Sequence, residues 1–205
     1  MKRVTAHIRF TEAILGTQPM DTEIYERFIG SKAPDAPTLE QEIEAVGAEE
    51  IVERGKTGFP RNAEGQPFLW DYQIKGFFKG AAQALWKIPG TKTSAIKSYK
   101  RKIDQGIFVY PREVAFLNAG EIRDFQRPLR STTPMGERVC LAISEEIPAG
   151  AEMKFTVKCY EDAHAPMVEE WLRYGKDSGI GQWRNSGRGR FEVISCQTED
   201  WPEDE

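Results

Sequence analysis

The first ten residues contain the pattern that most constrains the fold of this chain. Between residues 4 and 10, apolar residues alternate with polar ones, with Val4, Ala6, Ile8 and Phe10 set against Thr5, His7 and Arg9. Because successive side chains of a strand point to opposite faces, this alternation predicts a β-strand with one buried face. The chain therefore begins with a strand that packs one side on a core.

Helical and strand patterns follow this first strand in a definite order. Residues 72–86 and 165–174 place their apolar residues on one helical face, which predicts two amphipathic helices. Strands are predicted at residues 106–110, 114–117, 138–144, 152–160 and 190–195. This order predicts an α+β fold, namely a modified ferredoxin-like (RNA-recognition-motif-like) domain with insertions.

We expect a single domain over residues 1–196, with inserted segments at about 20–60 and 88–135. An acidic helix at residues 38–54, capped by Thr38, lies in the first insertion. Asn62-Ala-Glu-Gly65 has the composition of a hairpin turn. Residues 197–205 are predicted to form a disordered acidic tail.

Composition excludes several classes of protein. No segment approaches the roughly 18 apolar residues of a membrane helix, and the N-terminus does not resemble a signal peptide. The three cysteines, Cys140, Cys159 and Cys196, are far apart and form no CxxC pair. We therefore expect a reduced, cytoplasmic protein with no metal site, no cofactor and no membrane partner.

Charge is segregated along the chain, although the net charge is −4. Residues 34–54 and the C-terminal tail are acidic, whereas residues 71–112 contain nine basic residues and two acidic ones. Residues 173–190 contain five basic residues against Asp177. Such segregation predicts a positive face on an acidic protein, and the local field steers a polyanion more than the net charge does.

The most informative segment for function is the glycine- and arginine-rich stretch at residues 179–191. It contains four glycines, Trp183 and the three arginines Arg184, Arg188 and Arg190. Glycine allows close approach of the backbone to a phosphate, arginine binds phosphate through two hydrogen bonds, and an aromatic ring offers a stacking surface for a base. This composition favours a nucleic-acid-binding loop over a merely soluble one.

A second candidate segment runs from Gly65 to Lys79, where a strand leads into a helix that carries Lys75 and Lys79. Helix N-termini attract phosphates through their free N–H groups. A structural interpretation, in which Phe77 and Phe78 are core residues and Lys75 is a solvated lysine, is equally consistent with this segment taken alone.

Together these two segments resemble the RAMP superfamily of CRISPR-associated proteins, in a form that phages or prophages encode. The features that carry the resemblance are the hairpin before Ile74-Lys75-Gly76 and the turn Gly187-Arg-Gly-Arg-Phe191 before the last strand. The resemblance implies a modified ferredoxin-like RNA-binding domain, a place in the cytoplasm of a bacterial host cell and backbone subunits that stack along a guide RNA. It also implies contacts from Lys75, Lys79, Arg184, Arg188 and Arg190.

Our leading hypothesis is a non-enzymatic protein that binds single-stranded RNA or DNA and self-associates side by side along the strand. The sequence does not distinguish RNA from DNA. The predicted contact residues are Lys75, Lys79, Lys97, Lys100, Arg101, Lys102, Trp183, Arg184, Arg188 and Arg190.

Two other hypotheses stay open. The chain is alternatively a mimic of a CRISPR backbone subunit that binds effector subunits as an inhibitor or structural stand-in. A third hypothesis is a ribonuclease that uses His7 or His164 as acid or base, or Asp21 with a metal. An ordinary structural role is the favoured interpretation of both histidines.

Overall fold

The computed structural model describes residues 1–20, 55–133 and 136–202, with the backbone alone at 129–133 and 136–140. The helix expected at residues 38–54 and the candidate residue Asp21 lie outside these ranges. The described chain forms two compact units, where we expected one domain with insertions. The first unit contains Met1–Ile14, Pro60–Glu121 and Ile147–Glu205, and the second contains Leu15–Phe59 and Ile122–Glu146.

The described residues form a mixed α+β structure with two sheets and three helices. The strands are β1 (Lys2–Phe10), β2 (Ile14–Leu15), β3 (Gln18–Pro19), β4 (Thr57–Gly58), β5 (Phe68–Trp70), β6 (Ile107–Tyr110), β7 (Glu113–Leu117), β8 (Arg123–Thr133), β9 (Gly136–Ile147), β10 (Glu152–Cys159) and β11 (Phe191–Asp200). The helices are α1 (Asp71–Leu85), α2 (Tyr99–Gly106) and α3 (Ala165–Arg173). None of these three helices has the length and apolarity that crossing a membrane requires.

The sheet of the first unit is antiparallel and is built around β1. Its strand order is β11-β1-β10-β7-β5, and β6 also pairs with β10. Four strands and two helices of this unit come in the chain order β1, α1, β6, β10, α3 and β11. In space the four strands are ordered β11-β1-β10-β6, which is fourth, first, third and second in chain order. The α+β class predicted from the sequence is confirmed.

The core of the first unit lies on one face of this sheet. The alternation in β1 has the predicted result, since Val4, Ala6, Ile8 and Phe10 are all buried. Helices α1 and α3 supply the other side of the core, where the Phe78 and Trp171 rings lie 5.8 Å apart. Each such buried side chain contributes about 1.5–3 kcal/mol of hydrophobic stabilisation.

Helix α1 begins at the end of β5, where the side chain of Gln73 accepts a hydrogen bond of 2.8 Å from the backbone N–H of Trp70. This bond satisfies an N–H group near the start of the helix, where no intrahelical acceptor exists. The buried face of α1 consists of Ile74, Phe77, Phe78, Ala81 and Ala82. Its opposite face is therefore available to solvent along the whole helix.

A buried polar network attaches the 3-10 turn Lys92–Ala95 to α3. The Glu170 carboxylate accepts hydrogen bonds from the Lys92 and Thr93 N–H groups at 2.8 and 2.9 Å, and from the Thr93 hydroxyl. That hydroxyl in turn accepts one of 2.8 Å from the indole N–H of Trp171. Burial raises the pKa of Glu170, but these hydrogen bonds outweigh it and hold the pKa below its usual range.

The second unit contains a sheet with the strand order β2-β9-β4-β3, in which β8 also pairs with β9. The Glu145 carboxylate is buried and accepts a hydrogen bond of 3.0 Å from the N–H of Phe59. β8 contains Pro128, which is compatible with a strand that pairs on one side only. We expected a strand at residues 138–144 but none through Pro128.

The last strand extends further than its sequence pattern indicated. β11 pairs with β1 as far as Asp200, and Asp200 forms a 2.7 Å ion pair with Lys2. Residues 197–200, which we expected to begin a disordered tail, are therefore part of the sheet. The physical reason is the pairing with β1, which supplies backbone hydrogen bonds where the local sequence has little apolar pattern.

Candidate nucleic-acid interface

In the loop between α3 and β11, residues 179–180 pack against residues 188–189. The N–H of Ile180 donates a 3.0 Å hydrogen bond to the carbonyl of Gly189. A Cβ atom on Gly179 would lie 2.1 Å from the Arg188 carbonyl oxygen, and one on Gly189 would lie 2.0 Å from that of Ile180. The packing of the loop on itself therefore requires both glycines, independently of any ligand.

A tight turn at residues 183–187 presents the polar side chains of the loop. Trp183 adopts a left-handed conformation with φ of 59°, and its carbonyl accepts a hydrogen bond of 2.9 Å from the N–H of Ser186. Gly187 is also left-handed, with φ of 83°. The Trp183 side chain is half-buried, whereas Arg184 is exposed.

A shallow surface groove of about 550 Å³ lies beside this turn. Its lining consists of Glu12, Asn185, Ser186, Gly187, Arg188 and Arg190. Two arginines against one carboxylate give the groove a positive balance, and guanidinium groups bind phosphate through paired hydrogen bonds. The two arginines therefore suit the groove to an anionic ligand.

Contacts connect the loop to α1 and α1 to α2. An Nη atom of Arg184 lies 3.8 Å from the position that a Cβ of Gly80 would occupy, so its guanidinium is next to the exposed side of α1. One residue earlier in α1, the Lys79 ammonium forms a 2.6 Å ion pair with Asp104 near the end of α2. The loop is therefore next to α1 at Arg184, and α1 is joined to α2 by the ion pair of Lys79 with Asp104.

Lys75 is more closely tied to the protein than its neighbours on α1. Its ammonium donates a 2.9 Å hydrogen bond to the Asp104 carbonyl and lies 4.5 Å from the centre of the Phe108 ring. Burial lowers the pKa of Lys75, against the opposing effect of the Asp104 carboxylate. This predicted contact residue thus has a packing role as well.

The predicted basic cluster at residues 97–102 divides into two parts. Lys97, Lys100 and Arg101 are exposed. Lys102 instead forms a 2.9 Å ion pair with Glu161, which lowers the pKa of that carboxyl. We use the term loop–helix surface for seven cations. They are the exposed residues Lys97, Lys100, Arg101 and Arg184, the groove residues Arg188 and Arg190, and Lys79.

A second group of side chains lies on the face of the sheet that the helices do not cover. The group, here called the aromatic end, consists of Arg3, Phe108, Tyr110, Lys158, Tyr160 and Trp201. The sequence predictions missed it, although the alternation of Phe108 with Tyr110 and of Lys158 with Tyr160 is visible in the sequence. Trp201 was assigned to the tail.

The two histidines occupy different environments. His7 lies on the helix-free face, where its Nε2 is 2.8 Å from Glu152, and the same carboxylate contacts Arg9 at 2.8 Å. His164 is only 2% exposed, and its Nε2 lies 3.6 Å from Glu161. Burial lowers the pKa of His164, against the opposing effect of the Glu161 carboxylate.

Two cysteines have side chains that the structure describes, and both are poorly reactive. Burial raises the pKa of Cys159 to about 12 and that of Cys196 to about 11. A thiol with so high a pKa is a weak nucleophile and a weak metal ligand. Within residues 1–20, 55–133 and 136–202, histidine, cysteine and carboxylate side chains form no group of three that is arranged to hold a metal ion.

The sequence matches no protein-family model, and it matches no curated protein. The structure is similar to a chain in a cryo-EM structure of the type III-B Cmr-beta bound to cognate target RNA, with a TM-score of 0.58. The two sequences are 9% identical, and the likeness covers 96% of this chain and 60% of that one. At this identity the likeness shows a shared fold, and the chain spans about three fifths of the length of its structural neighbour.

Proposed function

We propose that this chain is a RAMP-type protein with a ferredoxin-like first unit, and that it binds single-stranded nucleic acid without cleaving it. The strand and helix series β-α-β-β-α-β, with its fourth-first-third-second order in space, supports the ferredoxin-like assignment. The likeness to a chain in an RNA-bound assembly favours RNA over DNA.

The observation that carries this proposal is the position of the loop arginines, two at the groove and one beside α1. The groove beside Arg188 and Arg190 leads to Arg184, and Arg184 lies next to α1. The residue before Gly80 in α1 is Lys79, whose ammonium pairs with Asp104 of α2. A flexible strand with one charge per nucleotide can follow such a path, whereas a compact anion would occupy the groove alone.

Binding by phosphate contact predicts a defined dependence on salt. Each phosphate that a cation neutralises on a single strand contributes about −0.7 to the slope of log K against log salt. Removing Arg184, Arg188 and Arg190 together is therefore expected to make that slope shallower by about 2. The affinity at low salt falls at the same time, since the contacts are lost in every sequence context.

The experiment is a fluorescence-anisotropy titration of labelled single-stranded RNA and DNA of equal sequence, across a salt series. The charge-matched control replaces three exposed cations of the same unit, Arg61, Lys87 and Arg112, with alanine. We expect the loop variant to lose affinity and slope while the control changes little. Equal losses in both variants, or no binding by the original protein at low salt, would refute the proposal.

The structural likeness also favours a second candidate function. A chain that shares its fold with three fifths of a subunit is a candidate to replace part of that subunit. We propose that such a stand-in binds effector subunits of a CRISPR assembly, or further copies of itself side by side on the strand. A pull-down with purified Cmr subunits, with and without RNA, separates binding to effector subunits from binding to RNA alone. Capture of the subunits in the absence of RNA supports the stand-in.

A further inference from the structure

The aromatic end lies on the helix-free face of the sheet and includes large aromatic rings that are exposed to solvent instead of packed in the core. Strand alternation places Phe108 and Tyr110 of β6 on this face, together with Lys158 of β10 and Tyr160 after it. Tyr110 is 46% exposed and Tyr160 is 53% exposed. Large rings left this open to water commonly mark a binding surface.

The rings are arranged across neighbouring strands rather than scattered. Phe108 and Tyr160 meet edge to face with centres 5.7 Å apart, and Tyr110 lies 6.0 Å from Trp201. The Trp201 ring follows β11, yet it contacts residues of β1, β10 and β6. We call these four rings, Phe108, Tyr110, Tyr160 and Trp201, the shelf, and the two tyrosines are its exposed members.

Besides Lys75 of α1, which lies 4.5 Å from the centre of the Phe108 ring, two cations of the sheet contact this shelf. The Lys158 ammonium lies 4.1 Å from the centre of Trp201 and 5.6 Å from that of Tyr160, and the Arg3 guanidinium lies 5.0 Å from Trp201. Among the residues that the structure describes, Lys158 forms no ion pair with a carboxylate. Within the described part of the chain, the contacts of its ammonium are with aromatic faces.

Among the residues that the structure describes, the carboxylates near the shelf mostly have other partners. Glu161 pairs with Lys102 at 2.9 Å, and Asp162 pairs with the N-terminal ammonium at 3.0 Å. Glu199 faces Arg3 across the β1–β11 pairing. The aromatic end therefore combines exposed rings with a cation that has no carboxylate partner in the described residues.

We propose that the aromatic end is a second contact site for single-stranded nucleic acid. A base stacks on Tyr110 or Tyr160, and Lys158 neutralises an adjoining phosphate. The composition argues for this occupant, because bases stack on aromatic rings and a lysine suits a phosphate, whereas lysine is depleted in protein–protein interfaces. This inference rests on the proposed function. Its site adjoins α1 at Phe108, whose ring lies 4.5 Å from the Lys75 ammonium, whereas Tyr110 and Lys158 lie on the face of the sheet opposite α1 and α3.

The test compares the double variant Tyr110→Ala/Tyr160→Ala with the conservative variant Tyr110→Phe/Tyr160→Phe. Each is titrated with a ten-nucleotide oligouridylate and with an abasic strand that has the same sugar–phosphate chain. The Arg184/Arg188/Arg190 alanine variant is measured alongside.

We expect the double alanine variant to bind the oligouridylate at least about fivefold more weakly, since stacking on one ring is worth roughly 1–3 kcal/mol. It should bind the abasic strand as the original protein does, and the phenylalanine variant should retain full affinity. Lys158→Gln should weaken the binding of both strands.

The outcomes separate the two proposals. If the original protein binds the oligouridylate and only the arginine variant loses affinity, the aromatic end is not a contact site and the proposed function stands. If the original protein binds neither strand, both proposals fail. Binding to a protein ligand or to a second copy that depends on Tyr110 and Tyr160, without an effect on RNA, would replace the nucleic acid with a protein partner.

Discussion

Replacing Gly76 of α1 with alanine is expected to stabilise the protein and to weaken its binding of RNA. Gly76 is exposed in the interior of the helix, and a Cβ atom built on it meets nothing within 4 Å. Gly80, one turn later, meets only an Nη atom of Arg184, at 3.8 Å. Neither glycine has the left-handed conformation or close neighbour that would require it.

The size of the stabilisation follows from helix propensity. Glycine in a helix interior is about 0.8–1 kcal/mol less favourable than alanine. The stabilisation is partly an effect on the unfolded chain, which alanine makes less flexible. For a protein of this size, one kcal/mol corresponds to a rise of about 2–4 °C in the midpoint of thermal unfolding. The double variant Gly76→Ala/Gly80→Ala is expected to gain up to about twice that amount, because each substitution improves the helix propensity of its own position.

The binding effect has the opposite sign, because two glycines one turn apart expose the helix backbone beside Lys79 and let a sugar–phosphate chain approach it closely. Calorimetry or circular dichroism gives the unfolding midpoint, and anisotropy gives the affinity for RNA. Ala84→Gly, at an exposed position of the same helix, is the matched control and should lower the midpoint by a similar amount. A lower unfolding midpoint for Gly76→Ala would contradict the described packing of α1. An unchanged affinity for RNA would show that the RNA strand does not pass close to α1.

Three further predictions concern stability and chemistry. Burial lowers the pKa of His164, so below about pH 6.5 the unfolded chain binds a proton that the folded protein does not. Urea unfolding should therefore show that the free energy of unfolding falls from pH 7 to pH 5. The fall should be smaller in His164→Gln. Thr93→Val leaves the Trp171 indole and the Glu170 carboxylate without a hydroxyl partner, so denaturant unfolding should show a loss of about 1–3 kcal/mol, whereas Thr93→Ser should lose much less. Labelled RNA incubated with the protein should stay intact on a denaturing gel; cleavage that disappears in His7→Ala would revive the ribonuclease hypothesis.

The sequence predicted those parts of the fold that depend on local periodicity. β1, α1 and α3 were expected within one or two residues of their observed ends, since each buries one regular face. The division into two sheets was not predictable in the same way. Alternation in β9 and β10 shows that each has a buried face, but it does not show which partner strand each one finds.

The candidate site was predictable in composition but not in its pairing. The basic residues of the loop and α1 are visible in the sequence, yet the ion pairs of Lys79 and Lys102 depend on Asp104 and Glu161, which only the fold brings close. The glycines at 179 and 189 were interpreted as phosphate contacts, whereas their close approach to neighbouring carbonyls explains them without a ligand. The aromatic end was missed because its rings come from β6, β10 and the end of β11.

The central claim, that a single strand follows the loop–helix surface, is tested most directly by photocrosslinking. RNA that contains 4-thiouridine at every position is irradiated with the protein, and the crosslinked peptides are identified by mass spectrometry. The account predicts crosslinks in residues 183–191 and in α1, and their loss in the Arg184/Arg188/Arg190 alanine variant. Crosslinks confined to the second unit, or a pattern that the variant leaves unchanged, would contradict it.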